Sequence, residues 1–279
     1  MNYIFRLTGF VVFLIVAATL TGCKGETMKD DHTVYSNINE IPAAAWEKLS
    51  QKKIYFGHQS VGFNIIEGIN ALMKEYSQIK LNIVETNKLS DTTKGVFAHS
   101  IVGKNRDPKS KNDEFSQLVN TLFKQYPGVA MLKYCYVDII DKTDVSKIFD
   151  EYSTTMAEIK QKHSKLNIIH FTVPLTTTRT TWKTKLKIIL GKKEIGEYDS
   201  NIKRNEYNMM LANKYSGIEP IFDLAKIEST FPDGSRCTFQ KNKKSYFSLV
   251  PEYSDDGGHL NDTGRKKVAE QLLLLLVNL

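Results

Sequence analysis

Lys53-Ile54-Tyr55-Phe56-Gly57 is a short run, apolar after its lysine and closed by glycine, and His58-Gln59-Ser60 joins it to Val61, Ile65, Ile66, Ile69, Leu72 and Met73. The run predicts a buried strand. The later residues recur three to four positions apart, which predicts an amphipathic helix over Val61 to Tyr76. A strand running straight into a helix is the opening half of a βαβ unit, and the alternation continues down the chain. Strands are expected at Lys80 to Glu85, Val129 to Val137, Leu166 to Val173 and Pro220 to Asp223, and helical spacing marks Phe115 to Tyr126, Val145 to His163, Ile202 to Tyr215 and Thr263 to the end. Strands separated by helices pair in parallel, because the crossover returns the chain in the same direction. The expected fold class is therefore α/β: a three-layer α/β/α arrangement around a mostly parallel sheet. Such sheets bind ligands at the carboxyl ends of their strands.

Working outward, Pro42-Ala43-Ala44-Ala45-Trp46 opens a short helix with proline in its first turn. Residues 41–279 are the expected domain, with 87–113 and 176–196 read as insertions because they are long and lack a clear period. The run Leu272 to Leu276 is too short to span a bilayer and predicts a buried terminal helix. The 279 residues, 41% hydrophobic and 25% charged, exclude collagen-like, coiled-coil and disordered classes, and three cysteines exclude a disulfide scaffold. The net charge of +7 includes the basic segment Arg179, Lys183, Lys185, Lys187, Lys192 and Lys193. At this lysine content the segment reads as a solvated face, with attraction of an anionic glycan or lipid head group as the alternative. No DNA- or RNA-binding motif accompanies it, so no nucleic-acid partner is expected.

At the start, Met1 to Arg6 is positively charged, Leu7 to Leu20 is apolar, and Leu20-Thr21-Gly22-Cys23 follows. This is the pattern of a secretory signal over residues 1–22. Its last four residues resemble the bacterial lipobox. That resemblance implies lipidation of Cys23, a polar tether over 23–40, and a protein held by its lipid anchor on a membrane of the bacterial cell envelope. The alternative is a plain signal or N-terminal anchor with an incidental cysteine.

Two places can carry chemistry. Ser60 stands at the junction of the first strand and its helix, where a tight turn exposes the hydroxyl beside helix amides that suit a developing oxyanion. The competing role is that of a helix N-cap, which serine also serves. The second place is Asp256-Gly257-Gly258-His259-Leu260-Asn261-Asp262 before the last helix. Asp256 and His259, three residues apart on a glycine turn, can set a carboxylate against one ring nitrogen and leave the other free as a base. Asn261 or Asp262 capping the helix beside a surface histidine is the alternative.

Taken together, Ser60 and the later Asp-x-x-His element on an alternating α/β chain resemble the SGNH (GDSL-like) hydrolase superfamily over most of Lys53 to Leu279. The resemblance implies Ser60 as nucleophile, His259 as general base and Asp256 as its orienter, with Asp255 at the wrong spacing. Its Gly-Asp-Ser-Leu signature is replaced here by His58-Gln59-Ser60, as in divergent His/Gln-Ser variants, and Lys133-Tyr134-Cys135-Tyr136-Val137-Asp138 stands where a Gly-x-Asn-Asp block belongs. The oxyanion hole is then expected from Ser60, Gly103 and Asn105, with an amide from the Tyr136 to Asp138 turn as another candidate. His58, Gln59, Asp138 and Thr176 are expected to line the substrate pocket, with Asn205 and Asn208 as possible sugar contacts. The implied activity is a serine esterase that removes O-acyl groups, with O-acetyl first in view, from a carbohydrate or a small ester. Acyl transfer on the same triad and a non-catalytic glycan-binding scaffold are the rivals. No cofactor is expected and a monomer is. The six histidines show no His-x-His or His-Glu-x-x-His spacing, so no metal site is expected. Cys135 reads as inert packing, with pairing to Cys237 or a nucleophilic role beside His259 as lesser options.

Overall fold

Strand β1 (Lys53–His58) is buried along its whole length, and its alternating side chains feed two separate cores. Ile54 and Phe56 point to one side and Tyr55 to the other, as the two-residue period of a strand requires. The computed structural model describes residues 34–88, 95–124, 126–178 and 197–279. The signal, Cys23, most of the tether and the basic segment from Arg179 to Lys193 lie outside the described residues.

Around β1 run β2 (Ile83–Glu85), β3 (Val96–Ile101), β4 (Gly128–Leu132), β5 (Leu166–Phe171) and β6 (Ile221–Phe222), in the order β2-β3-β1-β4-β5-β6. All five pairings are parallel. The first core joins this sheet to α1 (Ala43–Ser50), α2 (Val61–Glu75) and α7 (Asp262–Val277). The second joins it to α3 (Pro108–Leu122), α4 (Val145–Lys162) and α5 (Glu197–Tyr215). The molecule is thus the α/β, three-layer fold anticipated from the alternation. Leu272, Leu273, Leu274 and Leu276 are buried in the first core, as the leucine run required.

Several boundaries differ from the sequence reading. The stretch 87–113 is no insertion throughout: it carries β3, which lies beside β1 inside the sheet, and the first turns of α3. The polar residues His99 and Ser100 concealed that strand, and both are satisfied by partners on β1. Ser100 Oγ lies 2.8 Å from Tyr55 Oη, and His99 Nδ1 lies 3.1 Å from His58 Nε2. β4 stops at Leu132, five residues short of the expected Val137, and Tyr136–Asp138 forms a 3-10 turn. The folded unit begins at Val34 rather than Ile41. Ile38, on the short turn Ile38–Glu40, is buried in the core, so the tether ends earlier than 40. The short helix α6 (Leu224–Glu228) and an antiparallel hairpin of β7 (Thr238–Lys241) and β8 (Lys244–Phe247) follow β6.

Helices α2 and α7 cross closely at Gly68, where a Cβ would stand 2.3 Å from the Arg265 carbonyl oxygen and 2.8 Å from Ala269 Cβ. These are a backbone and a buried side chain, so neither can yield freely. Gly68→Ala is expected to destabilise the protein by about 1–3 kcal/mol through overpacking. A lowered urea midpoint with an unchanged slope checks this, and an unchanged midpoint refutes it.

Candidate active site

Ser60 immediately precedes α2 with φ 51° and ψ −111°, a backbone conformation that L residues adopt only under constraint and at a cost of order 1–3 kcal/mol. The constraint comes from below. His58, the last residue of β1, is fully buried between Phe56, Phe63 and His99, and α2 rides on its ring so closely that only glycine fits at 62. A Cβ there would lie 2.3 Å from the imidazole. The side chain of Ser60 does not cap the helix. Its Oγ instead lies 2.6 Å from His259 Nε2.

His259 sits on the turn before α7, and its Nδ1 lies 2.6 Å from Asp256 Oδ2. The other carboxylate oxygen of Asp256 accepts the amides of Gly258 at 2.9 Å and His259 at 2.8 Å, which fixes the turn. Partial burial pushes the Asp256 carboxyl up, but hydrogen bonds from the His259 amide and ring and from Gly258 outweigh it and hold the group at about 2. An ionised Asp256 selects the His259 tautomer with its proton on Nδ1, leaving Nε2 to accept from Ser60. Asp255, the neighbouring carboxylate, accepts from Asn261 Nδ2 instead, and Asn261 also caps α7. The cap and the Asp–His pair therefore coexist.

Side chains that the sequence reading missed align the two halves. Asn64, on the second turn of α2, accepts the Leu260 amide at 3.1 Å and ties the serine's helix to the histidine's turn. The Tyr136 ring meets His259 edge-on at 5.8 Å, and the buried Arg204 lies over Tyr136, with its centre 5.6 Å from that ring. Arg204 donates to the carbonyls of Tyr136 and Ile139 and to Thr176 Oγ1. One residue on, the Thr177 amide donates to the Gly257 carbonyl at 2.9 Å. The only sequence signal for these residues was polarity within apolar stretches, which does not say what lies opposite.

Four expected pocket residues prove to be braces. His58 is fully buried and held neutral: burial, aided by Lys133 and His99, pushes its pKa down to about 2. Gln59 donates to the carbonyls of Val102 and Gly103 at 2.8 and 2.6 Å. Asp138 is buried and accepts from Lys111 and from the amides of Arg106 and Cys135. Thr176 is buried and bonded to Asn201 through its amide and hydroxyl. Asn205 and Asn208 likewise spend their amides on the backbones of Phe247 and Val173. Of the oxyanion candidates, Gly103 is eliminated because its amide donates to Glu114 at 2.7 Å. Cys135 and Cys237 are free thiols, so they do not pair. Cys135 is buried and directed at the Gln59 carbonyl, while His259 Nε2 already serves Ser60. Among the described residues no three His, Cys, Asp or Glu side chains group so as to hold a metal ion.

At the end of α6 Glu228 is fully buried, accepting the Leu175 amide through one oxygen, while Oε2 has no partner among the described residues. Burial pushes its pKa up to about 8. The folded state therefore holds a proton that the unfolded chain releases near the ordinary value of 4.5. Its stabilising contribution is complete below that value and is lost as pH rises to about 8, at up to about 1.4 kcal/mol per pH unit. Urea midpoints measured from pH 5 to 9 should show this decline. Glu228→Gln should flatten it, and an equal slope in the variant would refute the assignment.

No protein-family model matches the chain, and no curated protein matches it in sequence. Among solved structures it is similar to a GDSL-like lipase from Bacteroides thetaiotaomicron VPI-5482, at 12% identity and a TM-score of 0.48, over 82% of this chain and 89% of that one. It is also similar to a carbohydrate esterase family 3 protein from Talaromyces cellulolyticus, at 13% identity and a TM-score of 0.44, over 80% and 96%.

Proposed function

We propose that this protein is a serine esterase. One observation carries the reading: Ser60 Oγ, His259 and Asp256 form a continuous relay, 2.6 Å at each link, at the carboxyl end of β1. A serine that only capped its helix would have its hydroxyl on the amides of α2, and this one does not. In the reaction His259 Nε2 takes the proton as Ser60 Oγ attacks the ester carbonyl, Asp256 steadies the resulting imidazolium, and the alcohol leaves with that proton. Water activated by His259 then releases the acyl group.

Oxyanion stabilisation falls to the Ser60 amide at the positive end of α2 and to Asn105, with an amide of the Tyr136 to Asp138 turn as the alternative second donor. Asn105 Oδ1 accepts from Lys111 Nζ at 3.1 Å, which leaves the Asn105 amide nitrogen as the donor. The proposed substrate is an O-acylated carbohydrate, O-acetylated first of all, handled by a monomer. The Leu20 to Cys23 pattern supports a lipid-anchored protein of the bacterial envelope. Acyl transfer to a sugar hydroxyl would use the same relay with an alcohol in place of water. The test is hydrolysis of p-nitrophenyl acetate by the protein beside Ser60→Ala and His259→Ala. Activity lost in both variants supports the reading, and equal rates in all three refute it.

A further inference from the structure

A cavity of about 370 Å³ opens between α5, the loops after β5 and β6, and the β7–β8 hairpin. Neither Ser60, Asp256 nor His259 lines it. It lies on the same carboxyl edge of the sheet, two to three strand spacings from β1, or about 10–14 Å. Its walls are fixed. Asn205 clamps both the amide and the carbonyl of Phe247, and Asn208 does the same to Val173.

Its polar groups remain incompletely used. Arg236 stacks on Phe247, its guanidinium 3.8 Å from the ring centre, and donates from Nη2 to Ser229 Oγ at 2.7 Å. Its Nε is buried and has no partner among the described residues. Asp223 commits one oxygen, Oδ1, to Thr172 and the Lys226 amide, and Glu206 commits one to Lys203. The charges lining the cavity balance, Arg236 and Lys226 against Asp223 and Glu206, while Met209 and Phe247 expose apolar surface at 60% and 38%.

We propose that this cavity binds a neutral polyhydroxylated ligand, a glycosyl unit of the substrate distant from the reacting ester. An anion there would sit beside two carboxylates. A hydrocarbon would strip water from the second carboxylate oxygens of Asp223 and Glu206 and offer them no donor, which is costly. A sugar meets both demands, since its hydroxyls accept from Arg236 and donate to Asp223 and Glu206 while its C–H face covers Phe247 and Met209. That the ligand belongs to the substrate rests on the esterase reading, whereas the binding chemistry does not.

Two measurements test this. The Arg236 Nε–H resonance of the protein is followed by NMR during titration with cellotetraose, chitotetraose or inorganic phosphate. A saturable shift with a tetrasaccharide and none with phosphate is expected. No saccharide shift, or an equal shift with phosphate, overturns the assignment. The second measurement compares Phe247→Ala with Phe247→Tyr, reading kcat/KM for O-acetylated xylotetraose relative to p-nitrophenyl acetate. That ratio is expected to fall at least tenfold in the alanine variant and to recover in the tyrosine variant. An unchanged ratio overturns the substrate role. If the protein hydrolyses neither ester but the saccharide shift persists, the esterase reading fails and the binding site stands.

Discussion

Ser60→Ala is expected to lower kcat for p-nitrophenyl acetate by about 10⁴- to 10⁶-fold, with circular dichroism and the urea midpoint close to those of the parent. The Ser60 hydroxyl takes no part in capping α2, so its loss removes the group bonded to His259 without removing a helix cap. His259→Ala should cost a comparable factor, because an unassisted serine hydroxyl is a poor nucleophile at neutral pH. The double variant should be scarcely worse than either single one, since residues that act as a unit are strongly non-additive. If the two losses multiplied instead, Ser60 and His259 would be acting independently and the relay would be wrong. Asp256→Asn should lose less than either. It keeps a group at hydrogen-bond distance but no longer selects the tautomer that leaves Nε2 unprotonated.

The second large effect concerns stability. Lys111→Met is expected to remove about 3–5 kcal/mol, because it leaves the Asp138 carboxylate buried without its cation. Both side chains are fully shielded from solvent, and Asp138 also accepts the Arg106 amide at 2.8 Å and the Cys135 amide at 2.7 Å. This one carboxylate therefore ties the loop after β3 to the turn after β4. Replacing Asp138 by leucine in the same chain should recover only part of the loss, since two main-chain amides would then lack an acceptor. Lys111 also holds Asn105, so the surviving folded fraction of Lys111→Met should show a reduced kcat as well. A loss of stability below about 1 kcal/mol would show that the pair is more hydrated than its burial indicates. An unchanged kcat would remove Asn105 from the reaction.

Both predictions draw on features that differed in how far the chain disclosed them. Periodicity is local, so the amino-acid sequence alone determined the alternation of strands and helices, the α/β class, the burial of Val61, Ile65, Ile66, Ile69 and Leu72 on α2, and the two short segments that hold Ser60, Asp256 and His259. A serine at the end of a strand and an Asp-x-x-His turn before a helix are visible within a few residues of chain. β3 was hidden because its burial is shared between apolar packing and two cross-strand hydrogen bonds from His99 and Ser100 to β1, and a polar residue gives no sign of such a partner. For the same reason His58, Gln59, Asp138 and Thr176 read as pocket residues near the site. Only the tertiary structure decided that His58 meets the His99 ring, Gln59 the Val102 and Gly103 carbonyls, Asp138 the buried Lys111, and Thr176 the Asn201 side chain. It also decided the meeting of Ser60 and His259, 199 residues apart, which depends on Asn64, Gly68 and the α2–α7 crossing. Distance and satisfaction are properties of pairs, and the second member of each pair lies far along the chain.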